Sequence, residues 1–229
     1  MKIEPEIKTE ILSSLKAKDI LRHMTNGLAY LHRNNIVSRN GKPSNYLIKE
    51  INTHPSKKQY IVVITDFRLA RKWDPSKLDD LSGSAASEGW EAPESRKKGA
   101  ELKKSLDVFI LGCLYNYVLT GMETEEALPK HPFGDGERER IQNMGDGQQV
   151  ANNLFQPETE DKAICHLIQS MISKEEGNRP TLEDVLKNPY FQPSEDYNIY
   201  GYPKPGLCVI FNQQKFDPST KVSPFICKK

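Results

Sequence analysis

The sequence has no long hydrophobic run, no closely spaced cysteine pair and no excess of charge of one sign. Its longest apolar stretch, Val108 to Leu119, is shorter than the roughly 20 residues that a transmembrane helix needs. It also contains Asn116, so we expect a buried helix and no membrane span. The net charge is +1, which gives no general attraction to nucleic acid. We therefore expect no nucleic-acid partner.

The four cysteines lie far apart without CxxC spacing, which argues against a disulfide framework or a zinc site. The N-terminal residues MKIEPEIKTE lack the apolar stretch of a secretory signal. Both features favour a cytoplasmic protein, or one on the cytosolic face of a membrane if the chain is part of a longer protein. The cysteines are Cys113, Cys165, Cys208 and Cys227.

Apolar spacing predicts three main helices and one β-hairpin. The helices are expected at Lys16 to His32, Ser105 to Gly121 and Asp161 to Ser173. The hairpin consists of two short runs, Tyr46 to Ile51 and Tyr60 to Ile64, with a turn-rich segment between them. Residues 68–100 are polar and read as a long loop, and Thr181 with Asp184 has the pattern of a helix N-cap.

Several motifs in this order resemble the C-terminal lobe of a eukaryotic protein kinase over roughly residues 7–192. They are SRNGKPSN, TDFRLA, EAPE and LDVFILG. The words GLAYLHRNNIV, SEGWEAPE and KHPFGDG are most similar to the inositol-requiring kinase/endoribonucleases of the unfolded protein response. The resemblance implies an α+β, mostly α fold, namely a helical bundle with a β-hairpin and without the small lobe.

Several site residues of the family are retained. By resemblance, Lys42 matches the catalytic-loop lysine, Asn45 the second metal ligand and Asp66 the aspartate that holds magnesium against the phosphates. Oxygen-bearing side chains suit a hard cation. In an arbitrary chain, Asn45 would be a turn residue and Asp66 a cap at the end of a strand.

Three further matches are structural. By resemblance, Glu94 and Arg179 form the family's buried salt bridge under the activation segment, and Asp107 braces the catalytic loop from the central helix. These residues predict that the lobe folds.

Other positions depart from the family pattern. Asn40 stands where the family has its catalytic aspartate, and an amide cannot take a proton near neutral pH. Ser38 replaces a histidine that packs and braces the loop, and Gly41 replaces a leucine, which predicts extra backbone freedom. Arg68 replaces the glycine of the DFG motif, and its guanidinium could pair with Asp66 in the place of magnesium.

The polar loop contains phosphorylatable Ser82, Ser84 and Ser87, and Arg39 is retained where the family's loop arginine often pairs with a phosphate. These residues could form a surviving switch. The alternative is an ordinary flexible loop, since Ser/Gly/Ala stretches are common in such loops.

The chain begins at or near the first helices of the large lobe, so we expect the Gly-rich loop, strand lysine and helix glutamate of the small lobe to be missing. The expected domains are a kinase-like lobe at 1–192, a linker at 193–206 and a segment at 207–229. The last segment resembles the first strand of a caspase domain, or it is an extended or disordered tail. Since few residues follow Phe191, we expect no ribonuclease domain in this sequence.

These features predict a pseudokinase-like binding or scaffold module in stress or death signalling, with a protein partner on the face that the small lobe normally covers. We expect no firmly bound cofactor. The resemblance implies that ATP and magnesium would be the ligands if the site bound any. The alternatives are an active Ser/Thr kinase whose small lobe lies elsewhere, and a degraded or incomplete gene.

Overall fold

The computed structural model of the protein describes residues 15–54, 57–77, 81, 89–122, 129–146, 154–155, 162–191 and 222–224. The helices in these ranges are α1 (Ala17–Arg33), α2 (Ser105–Thr120), α3 (Glu137–Asp146), α4 (Lys162–Met171) and α5 (Leu182–Lys187). The strands are β1 (Ile36–Val37), β2 (Tyr46–His54), β3 (Lys57–Ile64), β4 (Arg71–Lys72) and β5 (Val222–Pro224). None of these helices is both long and apolar enough to cross a bilayer.

Helix α2 is the centre of the helical part because its sequence is apolar on every side. Only Ser105 and Tyr117 of this helix are partly exposed. Gly112 allows α4 to approach closely, since a Cβ atom at this position would lie 2.8 Å from the Cβ atom of Met171. The hydrophobic effect therefore fixes α2 as the element on which α1 and α4 pack.

Helix α1 is amphipathic and packs its apolar stripe against β3, α2 and α5. The stripe includes Ile20, Met24 and Leu28, at the spacing of one helical face. On β3, the alternate residues Val62 and Ile64 are buried. The hairpin is thus held on the helical layer by one face of β3.

A short antiparallel ladder joins two segments that are distant in sequence. Strand β1 pairs with β4, with Ile36 opposite Lys72 and Val37 opposite Arg71. The backbone N–H of Trp73 adds a hydrogen bond of 2.7 Å to the carbonyl of Asn35. This ladder brings the loop after β1 beside the loop before β4, and these two loops form the candidate site.

The predicted fold class, a mostly helical lobe with a β-hairpin, is confirmed. The Thr181 hydroxyl accepts a hydrogen bond from the Asp184 N–H and caps α5 as predicted. The hairpin prediction was wrong in extent, because the strands continue to His54 and from Lys57 through residues predicted as turn. Four elements were also missed. Helix α3 lies in a stretch that is too polar to show a hydrophobic period, and β1, β4 and β5 have only two or three residues each.

Candidate active site

The candidate site lies between the loop that follows β1 and the loop that joins β3 to β4. The first loop ends in the 3-10 turn Pro43–Asn45, and the second contains the 3-10 turn Phe67–Leu69. The backbone N–H of Thr65 donates to the Asn45 carbonyl at 2.9 Å and joins the two loops. The retained and the substituted residues of the motif are therefore neighbours in space.

The first loop is held from below by Asp107, whose residue is only 2% exposed. Its carboxylate accepts hydrogen bonds from the backbone N–H of Ser38 at 2.8 Å and of Arg39 at 2.7 Å. The Nε2 atom of His32 lies 2.9 Å from the same carboxylate. Arg39 has a left-handed φ of 61°, which is unfavourable for a side chain of this size. The charge-assisted hydrogen bonds to Asp107 offset that cost.

Asn40, which the resemblance places where the kinase family has its catalytic aspartate, has a side-chain amide that donates a hydrogen bond. Its Nδ2 atom donates to the Asp66 carbonyl at 3.0 Å. Its own backbone carbonyl accepts a hydrogen bond of 2.7 Å from Nδ2 of Asn45. The residue is 5% exposed, and these hydrogen bonds link the two loops. An amide does not accept a proton near neutral pH, so the side chain of Asn40 cannot act as a general base.

Asp66 and Arg68 form a bidentate ion pair at the mouth of the site. The Nε atom of Arg68 donates to Oδ1 of Asp66 at 2.6 Å, and Nη2 donates to Oδ2 at 2.7 Å. The Arg68 side chain is 86% exposed and the Asp66 side chain 19% exposed. These hydrogen bonds from Arg68 hold the pKa of the Asp66 carboxyl well below its usual range.

This arrangement does not fit a magnesium ion. Both carboxylate oxygens of Asp66 already accept hydrogen bonds from a cation, and a second cation at the same oxygens would be repelled by it.

The other substituted and retained loop residues differ in their exposure. Ser38 is buried and Lys42 is half-buried. Gly41 was predicted to add backbone freedom, but it lies in tight packing, because a Cβ atom there would lie 2.3 Å from Cγ2 of Ile110. The Ile110 side chain thus fills the volume beside the glycine.

Arg39, the predicted phosphate partner, is 7% exposed, and its Nη1 atom lies 3.5 Å from the Leu69 carbonyl. Its side chain is therefore held against the second loop. Ser82, Ser84 and Ser87, with which it was expected to act, lie outside the described residues.

Glu94 and Arg179 form a buried bidentate ion pair below the site. The two hydrogen bonds measure 2.5 and 2.8 Å. Nε of Arg179 also donates to the Ser173 carbonyl at 2.8 Å, and Nη1 donates to the Ser105 carbonyl at 3.2 Å. The pair ties the segment after Trp90 to α2 and to the chain before α5.

His32 is the site-supporting residue that the sequence analysis missed. It is 5% exposed and lies on Asp107. A signal was present, because His32 follows Met24 and Leu28 at a spacing of four residues on the apolar stripe of α1. A polar residue on such a stripe needs a buried partner, and Asp107 is that partner.

Comparison of the sequence with known proteins shows the family to which the chain belongs. The model of the protein kinase domain matches residues 3–191. The chain is 34% identical over 202 residues to the serine/threonine-protein kinase/endoribonuclease ire-1 of Caenorhabditis elegans, covering 86% of this chain and 19% of that protein. It is 33% identical over 180 residues to the serine/threonine-protein kinase/endoribonuclease IRE1a of Arabidopsis thaliana, covering 77% of this chain and 19% of that protein.

A third relative is the probable serine/threonine-protein kinase irlB of Dictyostelium discoideum, with 32% identity over 178 residues, 76% of this chain and 11% of that protein. The chain thus spans less than a fifth of the length of these curated relatives. The family match covers the helical lobe, the hairpin and both loops of the candidate site. This chain therefore belongs to the protein kinase domain family, with IRE1-type kinase/endoribonucleases among its relatives.

Proposed function

We propose that this chain is a kinase-fold domain that does not transfer phosphate and that acts by binding other proteins. The observation that carries the proposal is the ion pair in which Arg68 engages both oxygens of Asp66. Asn40 adds a second defect, because loss of a general base typically lowers a rate by roughly a hundred- to ten-thousand-fold. Metal binding and proton removal are thus both impaired.

The first test is a thermal-shift titration of the purified chain with ATP and magnesium. We expect a melting temperature that does not change up to millimolar nucleotide. A ligand present at a hundred times its dissociation constant would stabilise the fold by about 2.7 kcal/mol. Such binding would raise the melting temperature by roughly 5–10 °C in a domain of this size, so its absence is readily measured.

The control is Asp66→Asn, which removes the carboxylate charge and leaves a side chain of similar size. For the native chain, and likewise for this variant, the melting temperature with ATP and magnesium should equal the melting temperature without them. A rise of several degrees in the native chain that Asp66→Asn abolishes would contradict the proposal and show a working metal site.

That outcome would favour the alternative of an active Ser/Thr kinase. One observation supports this alternative: Asn45 and Asp66 remain on the same wall of the site, because both are hydrogen-bonded to Asn40. The Asn45 amide donates to the Asn40 carbonyl, and the Asn40 amide donates to the Asp66 carbonyl. In an active domain, Lys42 would join them on the transferred phosphate. The titration therefore decides between the two functions.

The proposed binding surface is the outer face of the β-hairpin, formed by Leu47, Ile51, Ile61 and Val63. Leu47 lies opposite Val63 in the ladder, and all four residues are partly exposed. Adjacent apolar side chains on one sheet face favour burial against another protein. We infer a protein partner of complementary apolar surface.

To test this surface, Ile61 and Val63 would be replaced together by lysine in the chain immobilised on a resin. We expect retention of cellular protein partners, measured by quantitative mass spectrometry, to fall about tenfold or more, since central apolar positions dominate interfaces. Lys49→Glu on the same face is the matched control and should have a smaller effect. Equal retention by the native chain, the double variant and Lys49→Glu would show that partners do not bind at this face.

We also propose that the domain works in the cytoplasm or on the cytosolic face of a membrane. Cys113 and Cys165 are free thiols, and burial raises the pKa of the Cys113 thiol far above its usual range. Reduced cysteines fit this compartment. Cell fractionation would test the proposal, and a lumenal or secreted protein would contradict it.

A further inference from the structure

Strand β2 has partners on both sides, and one of them comes from the C-terminal segment. β3 pairs with one edge of β2, and β5 pairs antiparallel with the other. Leu47 lies opposite Pro224, Ile48 opposite Ser223 and Lys49 opposite Val222. β5 also lies against the 3-10 turn Pro43–Asn45. The C-terminal segment therefore reaches the edge of the candidate site.

The backbone directions in β2 show which residues need a hydrogen-bond partner on the edge opposite β3. The Thr65 N–H donates to the Asn45 carbonyl, so the carbonyl of Asn45 points toward the side of β2 on which β3 lies. Successive residues of a strand alternate in direction, so Leu47 also points its backbone groups toward β3. Ile48 points its N–H and C=O toward the opposite edge. An open edge of this kind invites pairing with another strand.

The sequence of β5 matches that requirement. Ser223 lies opposite Ile48 and is the β5 residue whose backbone N–H and C=O face β2. Val222 and Pro224, on either side of it, point their backbone groups away. Proline has no N–H to donate, and it is tolerated in a strand only where none is needed. Pro224 therefore stands at a position where its missing donor has no cost.

We propose that the open edge of β2 is a strand-addition site and that the chain's own C-terminal segment occupies it as a strap. Main-chain hydrogen bonds would provide the binding, as in other cases of strand addition. Residues 192–221 connect α5 and its following turn to β5, and 30 extended residues span up to roughly 100 Å. The strap can therefore close within one chain.

The register is tested by disulfide trapping in the full chain. Lys49→Cys combined with Val222→Cys places cysteines on directly opposed residues that do not exchange hydrogen bonds, where the Cα atoms are about 4.5 Å apart and within disulfide range. Cys208 and Cys227 are replaced by serine so that they cannot compete. The matched control, Lys49→Cys with Pro224→Cys, is two residues out of register.

We expect the in-register pair to form an intrachain disulfide at least tenfold faster than the control under mild oxidation. Equal rates for the two pairs would overturn the proposed register. Cross-links only between chains would overturn the strap, because a second copy would then fill the edge.

Hydrogen exchange of single amides gives an independent test of the hydrogen bonds. Ser223→Pro removes the donor that faces β2, whereas Val222→Pro adds a proline whose missing N–H points away. Exchange of the Ile48 amide should accelerate about tenfold in Ser223→Pro and stay unchanged in Val222→Pro. The Leu47 amide faces β3 and serves as the internal reference. Rapid Ile48 exchange in the native chain, equal to that of Ser223→Pro, would overturn the proposal.

Discussion

Arg179→Met lowers the free energy of unfolding by about 3–5 kcal/mol, because it leaves the Glu94 carboxylate buried without its partner. The Arg179 side chain is 0% exposed and that of Glu94 10% exposed, so water cannot replace the lost hydrogen bonds. The guanidinium also lies 4.9 Å from the centre of the Phe109 ring, and methionine keeps only part of that packing. Urea unfolding followed by circular dichroism measures the change.

The matched control is Arg33→Met, which breaks the ion pair of Arg33 with Glu183 on the surface. Those side chains are 54% and 43% exposed, and exposed pairs contribute about 0–1 kcal/mol. If Arg179→Met prevents folding, Glu94→Gln keeps the shape of the partner and allows a measurement. A loss for either buried variant no larger than that for Arg33→Met would show that the pair is not essential to the fold.

Removing the guanidinium of Arg68 should create a divalent metal site at Asp66. We expect Arg68→Gly to raise the affinity for Mg²⁺ or Mn²⁺ about tenfold, since a neighbouring cation lowers the proton affinity of a carboxylate by roughly one to three powers of ten and repels a metal cation at the same oxygens. Isothermal titration with each metal alone measures the affinity. Unchanged affinity would rule out the idea that Arg68 takes the place of the metal.

Two companion variants separate charge from backbone effects. Arg68→Ala removes the charge without adding the backbone freedom of glycine, and it should bind metal like Arg68→Gly. Arg68→Lys keeps a cation beside Asp66 but loses the bidentate fork, and it should remain close to the native chain. Asp66→Asn in the Arg68→Ala background should abolish the gain.

The pH dependence of the free energy of unfolding should also differ between the native chain and Arg68→Ala. In the native chain the hydrogen bonds from Arg68 lower the pKa of Asp66 from its ordinary 3.8. A carboxyl with a lowered pKa in the folded state contributes stability above its unfolded pKa, and this contribution is lost as the pH falls toward the folded value. In Arg68→Ala the contribution disappears, so the two unfolding free energies should converge below about pH 3.8. Carboxyl NMR titration of Asp66 should show its pKa returning upward in the variant.

The sequence predicted the parts of the fold that local patterns control. The spacing of Ile20, Met24 and Leu28 predicts α1, and the all-round apolar segment after Ser105 predicts the buried α2. It did not predict the β1–β4 ladder, because each strand has only two residues and the pairing joins residues 36 and 72. Loop closure over such a distance depends on the packed lobe and leaves no periodic signal.

The candidate site likewise has some features that the sequence predicts and others that only the folded structure shows. Residue identity alone shows that Asn40 lacks the chemistry of a general base and that Arg68 adds a cation near Asp66. Only the folded chain shows the fork between Arg68 and Asp66, the contact between His32 and Asp107, and the packing of Ile110 beside Gly41.

The sequence by itself thus determined the kinase-like order of motifs, the main helices and the amide at Asn40. Tertiary structure decided which polar groups meet and which edge of β2 receives the C-terminal strand. The physical reason is that periodicity and side-chain chemistry are properties of neighbouring residues. Hydrogen-bond partners and strand edges, in contrast, depend on segments that only folding brings together.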